Sequence, residues 1–468
     1  MANGVFFTRA TNGSASDNAA TVRRKFTWSA WCKLGSNWDA AYYGGFFAAA
    51  VDGSNYTSLK RDNNEYLYFE VKQGGSSYTL VSDLKIRDYS AWYHIMIVYD
   101  STLATQADRA IMYINGVRST TSSAWNGTQN LSADFGNTSA TSRIGMYNNN
   151  TGNSYGYTGY MSEVVLTIGY ALSPTAFGST DTTTGEWKPN SGPSGVTYSP
   201  NGYYLKFTNA GALGTDSSGN GNTYSITNNS GSVVQTVDTP QNNFCTLNPL
   251  PNYYAQGTIS QGSLKLASGG AAYTYNTSSV GVANGKWYME VKIGSGSNTW
   301  WGVGIAEGES SNGSGVLGRD TYYPAGNEYG QIGWFGYGTD FVYQNNGYYS
   351  GSTNDYNTSA YTTGDILSIA LDADSNKVYF YKNGAVQNSG TGFNIGASST
   401  GFWHYAFGDY EGGNSTTHVF ELNFGNPQFT ISSNSGNGYA DANAHGKFQY
   451  TVPSGYYALC TKNLQQYG

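Results

Sequence analysis

Alternation of apolar and polar residues is the feature that most constrains this chain, because it recurs along almost the whole sequence. Successive side chains of a β-strand point to opposite faces, so a period of two favours strands with one buried face. Clear examples are segments 66–72, 93–99, 287–293 and 366–371, which are short and lie between turn-forming residues. No segment with a helical period exceeds two turns. The pattern predicts an all-β protein of antiparallel β-sandwiches.

The length of 468 residues is too great for one core and sufficient for two domains. Residues 178–197 are rich in Thr, Gly, Ser and Pro, and a short strand-like segment follows them. Pro240, Pro249 and Pro251 then mark the entry into a second domain. We therefore predict a first sandwich at 1–180, a linker with a short strand at 181–242, and a second sandwich with a C-terminal extension at 243–468.

Charge is scarce in this sequence: 11% of residues are charged, whereas Tyr occurs 42 times and Gly 62 times. Tyr offers rigid contact area, and Ser, Asn and Gly offer adaptable hydrogen bonds, so this composition is typical of binding surfaces as well as of strands and turns. The net charge of −7 argues against a nucleic-acid partner, because phosphate binding requires a basic face.

The N-terminal residues lack the basic start and apolar stretch of a signal peptide. No window approaches the roughly 18 apolar residues of a membrane span, so we expect no membrane insertion. The three cysteines, Cys32, Cys245 and Cys460, lie far apart in sequence, and we predict that all are unpaired.

Several segments of the first block follow one another in a characteristic order. They are 26–31 (FTWSAW), 92–100 (WYHIMIVYD) with 111–117 (IMYINGV), and 144–146 (IGM) with 159–166 (GYMSEVVL) and 171–174 (ALSP). In order and spacing they resemble the laminin G-like, concanavalin A-like jelly-roll family over most of residues 1–178. The resemblance implies a lectin-like sandwich.

The second block contains a different set of segments. They are 285–291 (GKWYMEV), 301–306 (WGVGIA), 329–334 (YGQIGW), 364–372 (GDILSIALD) and 377–384 (KVYFYKNG). These resemble the SPRY domain across roughly residues 244–429. That family is a β-sandwich that usually binds a partner through loops at one end, so the resemblance implies binding and not catalysis.

Three further segments, 216–222 (DSSGNGN), 239–249 (TPQNNFCTLNP) and 455–464 (GYYALCTKNL), resemble tail or virion-surface proteins of marine bacteriophages. The resemblance implies a virion protein, assembled in the host cytoplasm, that binds host-surface glycan or protein receptors through sandwich loops. One alternative is a capsid-decorating or fibre-building protein without a host ligand. A second alternative is a glycan-degrading enzyme.

Assembly follows from the same composition. A surface with so little charge is better explained if neighbours cover much of it, because interfaces favour Tyr and Trp over Lys and Glu. We therefore expect other virion subunits as partners and a homo-oligomer, with a trimer as the expected form, in which weak contacts gain avidity.

The matches of this sequence to catalytic motifs are poor. The closest match to a glycoside hydrolase Glu-x-Asp-x-x-Glu motif is Glu65 to Glu70, where Leu67 replaces the Asp. The pairs Glu307/Glu309 and Asp409/Glu411 lie in loop-like segments, where acidic residues are ordinary. The four histidines show no metal-ligand spacing, and His94 follows Trp92 at the start of a core strand, which predicts a structural role for it. We predict that the protein is not an enzyme and that it needs no cofactor apart from a candidate calcium ion.

Oxygen ligands alternate in one polar loop. Asp216, Ser218 and Asn220, followed by Gly221, have the one-three-five-six spacing of a calcium loop, although no downstream Glu completes it. We treat these three residues as a candidate calcium site. Asp372, Asp374 and Asn376 share the alternation, but a plain hairpin turn explains them.

Aromatic residues in polar stretches are the candidate ligand-binding residues, because exposed rings stack on sugars while neighbouring amides bond hydroxyl groups. The alternative is that such tyrosines pack between subunits or domains. The candidates are Trp38, Tyr42, Tyr43, Asn148, Asn149, Asn150, Tyr155, Tyr157, Tyr322, Tyr323, Tyr348, Tyr349 and Tyr410.

Overall fold

The chain divides into two compact units, residues 1–235 and 236–468, in this computed structural model. The structure describes residues 5–10, 15–35, 44–147, 156–228, 233–250, 257–268, 274–295, 301–306, 331–336, 341–345, 359, 361–395, 398, 400–409 and 417–468. None of the helices within these ranges is long and apolar enough to cross a membrane.

The first unit is built almost entirely from strands. Its strands β1 to β16 are Val5–Ala10, Lys25–Leu34, Gly44–Asp52, Asn55–Arg61, Tyr66–Gln73, Ser76–Lys85, Trp92–Asp100, Ala110–Ile114, Val117–Arg118, Thr121–Ser123, Thr141–Ile144, Gly159–Ile168, Gly178–Thr180, Trp187–Pro189, Tyr203–Leu205 and Ser225–Asn228. Helix α1 is Ala15–Asn18, and single 3-10 turns lie at Val22–Arg24, Gln106–Asp108 and Pro174–Ala176.

These strands form two antiparallel sheets and one hairpin. The described strands of the first sheet run in the order β10-β6-β5-β4-β3-β11-β1-β16, and those of the second in the order β15-β12-β2-β7-β8-β9. The inner faces meet through aromatic rings: Trp28 of β2 lies 4.6 Å from Phe47 of β3, between ring centroids, and Phe26 lies 6.1 Å from Phe69 of β5. The alternation read from the sequence therefore divides each strand between the core and an outer face.

Residues predicted as a linker pack instead with the first unit. Strand β15 extends the second sheet by pairing with β12, and β16 extends the first sheet by pairing with β1. Residues 172–198, which we call the cover, pack on the outer face of the second sheet, where Phe177 and Tyr204 are buried. The predicted boundaries of 180 and 242 therefore differ from the division after residue 235, because a polar, turn-rich composition does not exclude short edge strands.

The second unit repeats the architecture with different strands. Its strands β17 to β30 are Thr258–Ser260, Lys265–Ala267, Thr274–Thr277, Lys286–Ser295, Trp301–Ala306, Gln331–Gly336, Phe341–Asn345, Ile366–Asp372, Lys377–Lys382, Ala385–Val386, Phe393–Asn394, His404–Asp409, Val419–Asn423 and Tyr457–Ala458. Helix α2 is Thr461–Tyr467, and short 3-10 turns lie at Asn388–Gly390 and Asn434–Gly436.

Two sheets again enclose the core of this unit. The larger has the order β17-β18-β29-β20-β24-β25-β26, with β27 on β25 and β30 on β20, and the smaller has the order β19-β28-β21-β22-β23. Among the described pairings, β30 on β20 is parallel, and the rest are antiparallel. Phe407 of β28 lies 6.1 Å from Phe420 of β29, which joins the two inner faces. The all-β fold class with two antiparallel sandwiches in series is confirmed.

The C-terminal segment of the second unit packs over the outer face of its larger sheet. Phe448 lies 5.1 Å from Tyr288 of β20 between ring centroids, and Val452, Tyr456 and Ala458 join the same cluster. This segment gives the second unit a third layer on that face.

All three cysteines are buried, and none of them forms a disulfide within the described residues. Phe244 and Cys460 face each other in an antiparallel bridge, and Cys245 donates its backbone N–H to Leu459 at 3.0 Å. Cys245 nevertheless packs in the main core, whereas Cys460 packs in the outer cluster with Phe448. The two thiols therefore lie on opposite sides of the backbone, which disfavours a disulfide between them.

Candidate functional site

A row of polar and aromatic side chains occupies the outer face of the first sheet in unit 1. Register pairs Tyr56 of β4 with Lys72 of β5, Ser58 with Glu70, and Lys60 with Tyr68. The intervening residues, such as Leu59 and Phe69, are in the core. We call the set formed by Tyr56, Lys60, Tyr68, Glu70 and Tyr147 the tyrosine face.

Lys60 lies between two rings of the tyrosine face. Its Nζ is 4.3 Å from the centroid of Tyr68 and 4.1 Å from that of Tyr147, which are cation–π distances. The same ammonium lies 3.7 Å from Oε2 of Glu70, and its side chain is 8% exposed. Burial lowers the pKa of Lys60, and the charge of Glu70 opposes that shift. The lysine therefore fixes both rings around one buried charge pair.

Glu70 is held by side chains. Ser77 Oγ donates to Oε1 at 2.6 Å, and the Tyr147 hydroxyl donates to Oε2 at 3.5 Å. The hydroxyls of Tyr56 and Tyr147 lie 3.3 Å apart, and burial raises the pKa of Tyr56 well above its ordinary range. These bonds orient the rings, so the face is organised before any ligand arrives.

Tyr147 reaches this face because Gly45 of β3 leaves room for its backbone. A Cβ atom at Gly45 would lie 1.6 Å from the backbone nitrogen of Tyr147, closer than any real contact. Gly45 pairs with Lys60 across β3 and β4. A glycine at this position is therefore a requirement of the site and not only of the strand.

The arrangement suits binding of a hydroxylated ligand. Tyr68, Lys72 and Tyr147 are half-buried at the rim, so parts of their rings and charge face solvent. The hydroxyl of Ser58 is buried and makes no hydrogen bond to the described residues. The half-buried ring faces of Tyr68 and Tyr147 can stack on a sugar, and the Lys72 ammonium can hydrogen-bond to its hydroxyl groups, whereas the buried Lys60–Glu70 pair holds the rings in place.

The two carboxylates of the Glu65-to-Glu70 segment do not meet at one site. Glu65 bonds Arg61 at 3.1 Å and Arg87 at 2.6 Å, whereas Glu70 bonds Lys60 and Ser77. Leu67, between them, belongs to the core. General acid–base hydrolysis of a glycoside needs two carboxyl groups that flank one bond, and these two have separate partners.

A buried serine–histidine pair lies on the outer face of the second sheet. Ser29 Oγ is 2.8 Å from His94 Nε2, and the indole N–H of Trp187 donates to His94 Nδ1 at 3.2 Å. The indole can only donate, so Nδ1 is the acceptor and Nε2 carries the proton. His94 therefore cannot take a proton from Ser29, and burial lowers the pKa of His94 to about 3. This arrangement agrees with the structural role expected for His94.

Of the thirteen predicted ligand residues, Tyr157 lies within the described ranges, and its surroundings do not support the prediction. Its ring is fully buried beside Phe46, and its hydroxyl donates to the carbonyls of Lys33 and Tyr160, each at 2.9 Å. A ring without an exposed face cannot stack on a sugar. The other candidates lie outside the described residues: Trp38, Tyr42, Tyr43, Asn148, Asn149, Asn150, Tyr155, Tyr322, Tyr323, Tyr348, Tyr349 and Tyr410.

The candidate calcium loop is closed by its own hydrogen bonds. Oδ1 of Asp216 accepts the backbone N–H groups of Tyr204 and Ser218, and Oδ2 accepts the Ser218 hydroxyl and the N–H of Asn222. The Asn220 amide donates to the carbonyls of Ser199 and Gly202. These residues do not fit a calcium ion, because four donors already use the Asp216 carboxylate. Within the described ranges, no group of three or more His, Cys, Asp or Glu could hold a metal.

Sequence reasoning missed the tyrosine face because it searched loops for aromatic pairs. A signal was present: Tyr56, Ser58 and Lys60, and then Tyr68, Glu70 and Lys72, alternate with core residues along two consecutive strands. Aromatic and charged residues on the outward positions of consecutive strands can meet across the sheet, because residues in register are neighbours on one face.

Comparison with family models assigns both domains. Residues 8–177 match the concanavalin A-like lectin/glucanases superfamily, and residues 286–411 match the SPRY domain. The chain therefore carries a concanavalin A-like jelly-roll domain followed by a SPRY domain, and both are of binding types. The resemblances to the laminin G-like, concanavalin A-like family and to the SPRY domain are confirmed. None of the curated proteins matches the chain.

Solved structures show distant likenesses to single domains. A Bacteroides ovatus protein named for carbohydrate binding is 19% identical, with a TM-score of 0.30, and the match covers 50% of this chain and 58% of that one. The SPRY domain of human HERC1 is 13% identical, with a TM-score of 0.23, covering 36% and 92%. A heptameric SAP-like pentraxin from Limulus polyphemus is 16% identical, with a TM-score of 0.24, covering 36% and 78%. These scores are too low to support an inference about function.

Proposed function

We propose that the protein is a non-catalytic attachment component of a bacteriophage virion surface, and that it binds a host-surface glycan through the tyrosine face of unit 1. The observation that carries the glycan proposal is the pair of rings, Tyr68 and Tyr147, fixed on either side of Lys60. The match of residues 8–177 to a lectin/glucanase superfamily supports sugar as the ligand class.

Binding is favoured over hydrolysis for a physical reason. The tyrosine face has one carboxylate, Glu70, and its acceptor positions are used by Lys60, Ser77 and Tyr147. A buried carboxylate engaged in this way holds the neighbouring side chains in place and is not available to transfer a proton to a substrate.

The virion location and the partners belong to the same proposal. The segments that resemble phage tail and surface proteins support it, as does a composition with 11% charged residues and 42 tyrosines. We expect a homo-oligomer, with a trimer as the expected form, in which several weak sugar contacts combine into one avid attachment. The capsid-decorating alternative uses the same tyrosine-rich surfaces for other subunits and predicts no glycan binding.

The test uses the full chain on a panel of neutral and acidic oligosaccharides. We expect binding to at least one glycan, and a loss of about tenfold or more in affinity when Tyr68→Ala and Tyr147→Ala are combined. Tyr170→Ala is the matched control, because Tyr170 is 41% exposed and lies outside the face. No binding across the panel, with the protein found on particles by immunogold labelling, would favour the decorating role. Release of sugar products would establish the enzyme alternative.

A further inference from the structure

A cleft lies on the outer face of the second sheet of unit 1, where the cover meets strand β12. The apolar part of its lining is the indole of Trp31, the ring of Phe177, and Pro189 and Pro193. Trp31 is 3% exposed and packs 5.0 Å from His94, between ring centroids, so this part of the lining is rigid. No residue of the tyrosine face lines this cleft.

Glu163 is the charged residue of this cleft, and its backbone is unusual. The register between β12 and β2 shifts between Ser162 and Val165, which is a β-bulge. Glu163 lies within that bulge at φ 53°, in the left-handed region that non-glycine residues rarely adopt. A bulge redirects the side chain that it carries, and such strained positions cluster at functional sites. The bulge brings the carboxylate to the cleft.

Hydrogen bonding leaves one oxygen of this carboxylate open. The Tyr204 hydroxyl donates to Oε2 of Glu163, and Oε1 makes no hydrogen bond to the described residues. Lys206 is the nearby cation, with its Nζ 5.0 Å from the Tyr204 ring centroid, and its charge favours the ionised carboxylate. Burial outweighs both partners and raises the pKa of Glu163. The neighbouring groups therefore offset only part of the free energy that burial of the Glu163 charge costs.

The other polar group of the cleft is also an acceptor. The Asn190 amide nitrogen donates to the carbonyl of Thr175 at 3.0 Å, which leaves its Oδ1 as the group available to a ligand. Ser29, at the base, already receives the proton of His94 Nε2. A cleft lined by these acceptors together with apolar side chains is complementary to a ligand that carries hydrogen-bond donors next to apolar carbon atoms.

We propose that this cleft binds a protonated primary amine, with Oε1 of Glu163 and Oδ1 of Asn190 accepting from the ammonium. The two prolines of the cleft, which are half-buried, contact the carbon atoms next to it, whereas the buried rings of Trp31 and Phe177 support the cleft from behind. A lysine side chain of a partner protein and an amino sugar both present this chemistry. The site is separate from the tyrosine face and does not depend on the glycan proposal.

The experiment is calorimetric titration of the full chain with two pairs of probes. Each pair differs in one charge: Nα-acetyl-lysine methylamide against its Nε-acetylated form, and glucosamine against N-acetylglucosamine. We expect the amines to bind and their acetylated forms to bind at least about tenfold more weakly, since charge-assisted hydrogen bonds are lost. Preference for the lysine pair identifies a protein source, and preference for the glucosamine pair identifies an amino sugar.

Glu163→Gln should weaken amine binding by a similar factor and leave the melting temperature equal or higher, because a partly buried charge is removed. Glu186→Gln is the matched control, since Glu186 lies in the cover but its side chain is 62% exposed. The proposal is overturned if neither amine binds at millimolar concentration, if acetylation leaves affinity unchanged, or if Glu163→Gln binds as the parent does. The probe pairs decide the question even if that variant fails to fold.

Discussion

Each unit has a glutamate on the outer face of a sheet, and the two glutamates differ in their partners. In unit 1, Glu70 is held by the side chains of Lys60 and Ser77, and half-buried rings form the rim. In unit 2, Glu290 is fully buried and accepts the backbone N–H groups of Gln449 and Tyr450, each at 2.8 Å. The first face has a half-buried rim, which we propose as a ligand site, whereas the chain's own C-terminal segment occupies the second.

The sandwich fold therefore does not by itself determine whether the outer face of a sheet is open to a ligand or covered by another segment of the chain. Outward positions of β20 carry Tyr288 and Glu290, as those of β5 carry Tyr68 and Glu70. What differs is a covering segment with donors at the right places. We therefore expect sugar binding at the outer face of unit 1, and a stabilising role for Glu290 in unit 2.

The largest effect is expected from removing the buried glutamate of unit 2. Glu290→Ala leaves the N–H groups of Gln449 and Tyr450 and the Asn423 amide without their acceptor, at a cost of about 4 kcal/mol in the free energy of unfolding. Glu70→Ala should cost less, about 3 kcal/mol, because it leaves the buried Lys60 ammonium without its carboxylate but with its two cation–π contacts. Urea denaturation measures both. Equal costs would break the distinction between the faces.

A smaller effect follows from the pH dependence of the same group. Burial raises the pKa of Glu290 to about 7, so the fold prefers its protonated form. An unfolded glutamate has a pKa near ~4.3, so the stability is complete below that value and is lost as pH rises through about 7. Hydrogen exchange in β20 and β24 should show a loss of about 3 kcal/mol between pH 4 and pH 8. Glu290→Gln should remove this slope, and a slope that persists in the variant would assign it to another group.

The smallest effect concerns calcium. The donors around Asp216 leave no carboxylate oxygen for a metal, so millimolar calcium should shift the melting temperature by less than about 1 °C relative to EDTA. Asp216→Ala should nevertheless destabilise unit 1, because the N–H groups of Tyr204 and Asn222 lose their acceptor. A calcium-dependent rise of several degrees, absent from that variant, would restore the metal site.

The sequence predicted the strands and the two sandwiches because alternation reports directly on which side chains face a core. It was less informative where tertiary pairing overrides local composition: strands β15 and β16 lie in a polar stretch that resembles a linker, yet each completes a sheet. Tyr157 is a related case. Its Asn-rich neighbours suggest a loop, but packing against Phe46 buries the ring.

The candidate site was less predictable than the fold. Lys60 meets Tyr147 from a distant part of the sequence, and the contact depends on the missing side chain of Gly45 in β3. Neither fact follows from a local pattern. The same holds for Asp216, whose spacing suggests calcium until its four hydrogen-bond donors are known.

Hydrogen–deuterium exchange of the full chain with and without a bound glycan tests the central claim most directly. The measurement compares Asn55–Arg61 and Tyr66–Gln73, the strands of the tyrosine face, with Lys286–Ser295 and Ile366–Asp372 of unit 2. We expect the glycan to slow exchange in the first pair and to leave the second pair unchanged. Protection confined to the strands of unit 2, with none in the first pair, would contradict the account.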